Sequence, residues 1–392
     1  MAHDNVTSWR RTSVIGLLLA SVALPVFSAT IVGPAVSATF GPDGRLWRLV
    51  PTKNFVEVDF SADLGKSFSE PVRVNPRKQK IRANSEDRPG IAVTADGRIY
   101  VLYFVDAKTL WTTLISYSDD GRNFATPIKT SDYADRAKHY QDRLYIDAAG
   151  NLQVFWIDER DGATRSGPGG ALYFGGLRAG TWGNLPNRKL FEPMCECCRM
   201  ALDTNRDGKT ILLGRMVFED RIRDLGLLRI DTGAAGSASN PVRVTDDNWE
   251  INACPEHGPA LSIDAGDRYH IAWFTLGSQR RGLFYAYSDS DGPIGSAPLQ
   301  LGDSNALPGH ADVLVDQDRV ALVWREFDGE RTSVIGMIST DRGLSWPTAK
   351  KLASTESAAD YPFLLTDGGK FYVSWFAEDS GYQLIQVDDE ES

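Results

Sequence analysis

The sequence predicts an all-β protein, a β-propeller built from four-stranded blades. Three observations lead there. A short apolar strand recurs along nearly the whole chain at a spacing of roughly 50 residues, which is the length of one propeller blade. Turn-forming Asp/Gly clusters punctuate the copies, and β-branched and aromatic residues fill them, which is strand chemistry. No window carries an apolar stripe with the 3.6-residue period of a helix.

The clear copies of the strand are 98–103 (RIYVLY), 151–156 (NLQVFW), 268–273 (RYHIAW), 319–324 (RVALVW) and 370–375 (KFYVSW). Weaker copies are 45–50 (RLWRLV) and 210–215 (TILLGR). Each reads as the second strand of a blade, so the preferred count is seven blades. Six is the alternative, if the first and last copies share one irregular blade. The last copy, from Asp360 to Val387, has room for only three strands. An unpaired edge leaves backbone groups unsatisfied, so residues around Thr30 to Val36 are expected to supply the missing outer strand and close the ring.

The turns between third and fourth strands carry a motif. Residues 61–68 (SADLGKSF) and 339–346 (STDRGLSW) follow S-x-D-x-G-x-x-W/F; 117–124 (YSDDGRNF) lacks the first Ser, and 288–292 (SDSDG) is more degenerate. This is a turn in chemical terms. Asp bonds nearby backbone N–H groups, Gly supplies a positive φ, and the aromatic ring packs between sheets. The pattern resembles the Asp-box of the sialidase-like, BNR-repeat propeller superfamily. That resemblance implies a propeller whose functional groups lie on the face opposite the Asp-boxes, just before the first strand of each blade and in the loops after the second.

No Pro/Ser-rich linker, charge block or low-complexity run divides the 392 residues, so residues 29–392 are read as one propeller domain. The N-terminus differs. Trp9, Arg10 and Arg11 precede an apolar run from Val14 to Phe27, with Ser28 and Ala29 after it. A positive segment, a short apolar core and a small-residue exit describe a signal peptide, residues 1–28, with a periplasmic or secreted destination and no membrane insertion after cleavage. Either the general or the twin-arginine export route fits. The net charge of −10 argues against nucleic acid as a partner. The acidic run at 388–391 reads as a solvated tail.

All four cysteines fall where functional groups are expected. Cys195, Cys197 and Cys198 sit in 194–200 (MCECCRM), before the first strand of the fourth blade. Cys254 and His257 sit in 253–258 (ACPEHG), before the first strand of the fifth, and His310 occupies nearly the same place in the sixth. Thiolates and imidazole suit soft or borderline cations, so Cys195, Cys197, Cys198, Cys254 and His257 are the candidate metal ligands. Copper(I) is favoured, with Met194 and Met200 as candidate thioether donors, and zinc is the alternative. The expected partners are the metal ion and a metal-handling protein. An even number of cysteines in an oxidising compartment also suits disulfides, Cys195–Cys198 with Cys197–Cys254, in a non-catalytic binding scaffold, or a redox-active pair. His139 and His270 read as structural.

The resemblance also implies an enzymatic alternative, an exo-sialidase-like hydrolase acting on a carboxylated glycan. Arg88, Arg143 and Arg199 stand at matching inner-strand starts, where three guanidinium groups could clamp a carboxylate. Asp158, Glu159, Glu219, Asp220, Glu326 and Glu378 supply candidate carboxylates, and Tyr140 and Tyr361 are candidate nucleophiles by location. The chain departs from the sialidase pattern in lacking its early Arg-Ile-Pro element.

Overall fold

A computed structural model describes residues 33, 35–107, 110–133, 139–160, 169–219, 221–232 and 236–387. The candidate signal peptide, Asp220 and the acidic tail lie outside them. The described chain forms seven antiparallel sheets in sequence order, the blades of a propeller: 37–73, 81–129, 139–194, 201–243, 260–301, 309–355 and 363–386. Among the described residues the only helix is one 3₁₀ turn, Ser304–Ala306. None is long and apolar enough to cross a membrane.

Each second strand lies between two neighbours within its sheet and between two blades across its faces. That is why its apolar residues run continuously instead of alternating. In Leu152–Asp158 every residue is buried; it pairs with His139–Ile146 on one side and Gly170–Leu177 on the other. The core is accordingly divided into wedges between blades. Trp47, Leu49 and Val58 of blade 1 meet Val101 and Tyr103 of blade 2. Ala260 and Leu283 of blade 5 meet Val320 and Trp324 of blade 6.

The tryptophans ending these strands are fully buried, and their indole N–H groups need partners. Trp156 donates to Asp158 at 3.1 Å, Trp324 to Glu326 at 2.9 Å, Trp273 to Asp247 at 2.8 Å and Trp375 to the Asp360 carbonyl at 2.9 Å. Truncating one to Ala would cost about 3–5 kcal/mol in lost burial and a residual cavity.

The third-to-fourth-strand turns are fully bonded. Ser61 Oγ accepts from the Gly65 N–H at 2.8 Å, and Asp63 accepts from the Ser67 N–H at 2.9 Å. Ser339, Asp341, Gly343 and Ser345 repeat this, with 3.0 and 2.9 Å. These bonds, led by those from Ser67 and Ser61, hold Asp63 down at about 2. In blade 2 the turn is one residue tighter than the motif suggests. Ser118 and Asp120 take the Ser and Asp roles, while Asp119 pairs with Arg98.

The expected closure of the ring falls partly outside the described residues. The seventh sheet has three strands among the described residues, Phe363–Asp367, Lys370–Ala377 and Gly381–Gln386. Of the segment expected to complete it, Thr30, Ile31, Val32 and Pro34 lie outside the described residues. Gly33, Ala35 and Val36 form no strand; Gly33 N–H donates to the Ala83 carbonyl and the Val36 carbonyl accepts from Arg88, both in blade 2. Blade 7 meets blade 1 face to face instead. Phe40 packs on Tyr372 and Phe68 on Tyr382, with ring centroids 5.7 and 5.8 Å apart, and Arg48 lies 3.6 Å over Phe68. Among the described residues, side-chain packing joins the two blades.

Candidate metal centre

The innermost strands are irregular at one end, and the irregularities fall at equivalent places. In blade 2 the strand is split into Ile81–Arg82 and Gly90–Val93, both paired to Ile99–Ala107, and the intervening residues carry Glu86 and Arg88. In blade 3 the register shifts between Tyr140 and Arg143, and in blade 6 between Gly309 and Asp312, around His310 at φ +51°. Bulges of this kind re-aim side chains without breaking the rest of a ladder. Blades 4 and 5 place their cysteine segments at the same position, immediately before Ala201–Thr204 and Ala260–Ile263.

The cysteine segment of blade 4 is pinned at its start. The Cys195 N–H donates to the Arg215 carbonyl at 2.9 Å, and Met194 bridges to Met216. Its turn then folds three sulfurs together: Cys195 Sγ lies 3.5 Å from Cys197 Sγ and 3.3 Å from Cys198 Sγ, and all three lie within 4.8 Å of one another. Cys195 and Cys198 are buried, Cys197 half-buried and Cys254 exposed; all four are free thiols. Cys254 comes from the loop entering blade 5, close enough for Cys197 to act on its ionisation.

The sulfurs are not equivalent. Hydrogen bonds from Cys197 and Cys198, with Arg223 and Arg215 nearby, hold Cys195 well below the usual thiol range against the cost of burial. The bond to Cys195 pushes Cys197 up, and burial does the same to Cys198 and Cys254. Cys195 is thus the sulfur of the trio most readily ionised. Arg215 is fully buried, donating to the carbonyls of Arg223 at 2.6 Å, Phe274 at 2.8 Å and His257 at 3.1 Å. Arg223 stands 3.9 Å from Glu196. A carboxylate and two guanidinium groups therefore surround a compact sulfur face.

A soft cation fits this face. Sulfurs 2.3 Å from a tetrahedral zinc stand about 3.7 Å apart, a few tenths of an ångström wider than the observed pairs. A disulfide needs about 2.05 Å. The spacing is therefore close to that of ligands and well outside that of a bond. Met194 and Met200 are fully buried in the wedge between blades 3 and 4 with Phe155, Leu172 and Leu212. Their thioethers pack the core.

His257 stands in a different group. Its ring is stacked between Phe274 and His310, with centroids 4.1 and 4.4 Å away, and His310 stacks in turn on Tyr361 at 3.5 Å. Burial depresses His257 to about 3 and His310 well below its ordinary value, so both rings are neutral at pH 7.

Arg88, Arg143 and Arg199 do converge, and the carboxylates of Asp360, Glu86 and Asp312 act on them. Arg88 is buried in an ion pair with Asp360. Arg199 donates from Nη2 to the Ala311 carbonyl at 2.9 Å, and its backbone N–H donates to Glu86 at 3.0 Å. Burial, and then the charges of Arg199 and Arg88, bring Arg143 down to about 10. The candidate carboxylates differ in setting. Asp158 and Glu326 accept from tryptophans, and Glu219 and Glu378 are exposed. Tyr140 donates to Glu159 at 2.7 Å. Burial followed by that bond pushes the phenol up. Tyr361, raised by burial to about 12, is a stacking residue. His139 stacks on Trp156 and His270 bonds Tyr285, as structural residues do.

Sequence reasoning missed Glu86, Arg215 and Arg223. Glu86 had a signal, two residues before Arg88 at a channel-facing strand start. The two arginines had none: Arg215 ends a strand that reads as ordinary core, and Arg223 lies in the loop before Leu225–Asp231.

No family model and no curated protein matches the chain. Among solved structures, an ulvan lyase of polysaccharide lyase family 25 aligns at 10% identity and TM-score 0.56 over 92% of this chain and 96% of its own. A protein of unknown function from Dyadobacter fermentans aligns at 14% identity and TM-score 0.52 over 80% and 96%. A Trypanosoma rangeli sialidase aligns at 14% identity over 79% and 54%, with a TM-score of 0.45 that carries no argument. At such identities the likeness is one of fold alone, shared with the first two of these proteins.

Proposed function

We propose that the chain holds a soft metal ion on Cys195, Cys197 and Cys198, with Cys254 as a mobile fourth donor, and serves in capture and handover of the metal. The observation that carries this reading is the trio of unbonded sulfurs within 4.8 Å of one another. Copper(I) is preferred over zinc. Soft thiolates select copper(I), whereas zinc demands four ligands and Cys254 is exposed. Half-buried Cys197 and exposed Cys254 give an incoming thiol donor of a metal-handling protein a route to the ion. The apolar segment at Val14–Phe27 supports an extracytoplasmic setting.

Anaerobically purified protein is expected to show four titratable thiols and to take up one copper(I) per chain against a chromophoric chelator, with proton release as protonated sulfurs ionise. Absence of copper(I) uptake by protein with free thiols would overturn the reading. A second reading, sialidase-like hydrolysis, draws on the Tyr140–Glu159 bond. It predicts cleavage of a fluorogenic sialoside that is lost in Tyr140→Phe; no cleavage by the parent chain rejects it.

A further inference from the structure

Between blades 5 and 6 lies a cavity of about 440 Å³, within the size range of small-molecule sites. Phe274, Leu276, Leu307, Pro308 and Phe327 give it an apolar wall. Its charged lining is Arg281 and Arg325, and no carboxylate lines it, in a chain of net charge −10. Arg281 donates to the Leu276 carbonyl at 3.2 Å, while Arg325 stands 5.9 Å over Phe327 and 6.0 Å over Tyr361; neither forms an ion pair with a described carboxylate. Elsewhere arginines of this face are matched, as Arg280 is by Asp246 and Asp247.

His257 and His310 also line the cavity. Stacking covers the faces of both rings, so only their edges are available to a ligand. His310 is 8% exposed, and the buried Nδ1 atoms of both rings have no hydrogen-bond partner. Glu86, behind the stack, comes no nearer to His310 Nδ1 than 3.7 Å. Leu307, 69% exposed, and Leu276 form an apolar rim.

We propose that this cavity binds a small organic carboxylate with an apolar body. Arg325 and Arg281 would take the carboxylate, the imidazole edges would fix its orientation, and Phe274, Phe327 and the two leucines would cover the apolar part. An uncharged apolar ligand leaves two guanidinium groups unmatched, and a purely inorganic anion leaves the apolar wall wet. The site shares no residue with the sulfur trio, so it stands whether or not the metal reading does.

Calorimetric titration of the full chain with phenylacetate, phenylacetamide, phenethylamine and inorganic phosphate tests this. Phenylacetate is expected to bind at least ~10-fold tighter than the other three, the worth of a charge-assisted contact plus apolar burial. Arg325→Gln should weaken it by ~10-fold or more. Ser304→Glu, an exposed change at the cavity wall that leaves the core alone, should do likewise through repulsion. Cys195→Ser should leave it unchanged. No binding at ~10 mM phenylacetate, equal binding of the amide or phosphate, or insensitivity to both Arg325→Gln and Ser304→Glu would overturn the proposal.

Discussion

The two ends of the propeller are made of the same repeating unit and treat polar groups in opposite ways. At the Asp-box end, Ser61, Asp63, Ser339 and Asp341 have their bonds closed within each turn, and the unpartnered buried atoms there, among the described residues, are Trp346 Nε1 and His270 Nε2. At the other end, Glu86, Glu196, Arg199, Arg215, Arg223, His257 and His310 all retain buried atoms without a partner. Burying an unpaired polar atom costs about 1–3 kcal/mol, and a fold does not gather such atoms for stability. The closed end holds the ring together, and the open end is where the chain reserves its chemistry.

The sharpest test of that contrast is Cys195→Ser. Copper(I) affinity should fall about 100-fold or more, while the melting temperature of the metal-free protein barely moves. A chelator competition and a thermal melt on one preparation give both numbers, and a large loss of metal-free stability would break the contrast. Gly343→Ala should behave in the reverse manner. Gly343 has φ +78°, and a Cβ there would collide with the Tyr285 hydroxyl. A loss of about 2 kcal/mol or more, with unchanged metal stoichiometry, is expected by denaturant titration.

A pH series probes the open end more gently. Glu86, Arg199, Arg325, His257 and Tyr361 surround His310, and burial, the largest influence, keeps it neutral. Its folded pKa is depressed, so the unfolded chain binds the extra proton first. Stability should therefore decline as pH falls below about 6.5, the unfolded value. His310→Gln should flatten that decline in melts between pH 7 and 5; an unchanged slope would assign it to other groups. Ser61→Ala is the smallest change. Losing the hydroxyl that accepts from the Gly65 N–H should cost about 1 kcal/mol and lower the melt by about 2 °C.

The closed end was readable from the sequence and the open end only in part, for a physical reason. Asp63, Gly65 and Ser67 are neighbours in the chain, so a local pattern records the whole turn. The seven second strands were equally legible because burial on both faces forces continuous apolar runs. Cys195, Cys197 and Cys198 were legible for the same reason of proximity. Arg215 and Arg223 come to them across strand ends, and Glu86 crosses the channel to meet Arg199 and Gly258. Pairings set by blade position leave no spacing rule behind. His257 illustrates the limit: its place in the repeat suggested company with the cysteines, yet a ring stack with Phe274 and His310 claimed it.

The joint between blades 7 and 1 has a consequence for chain order. Among the described residues, Phe40, Phe68, Tyr372 and Tyr382 hold the ring at this joint by side-chain packing, and neither blade adds a strand to the other's sheet. Nothing in that joint requires the polypeptide to begin or end there. A circular permutant with its termini moved to the exposed turn at Gly329 and its original ends linked should therefore refold to the same ring, with both faces intact.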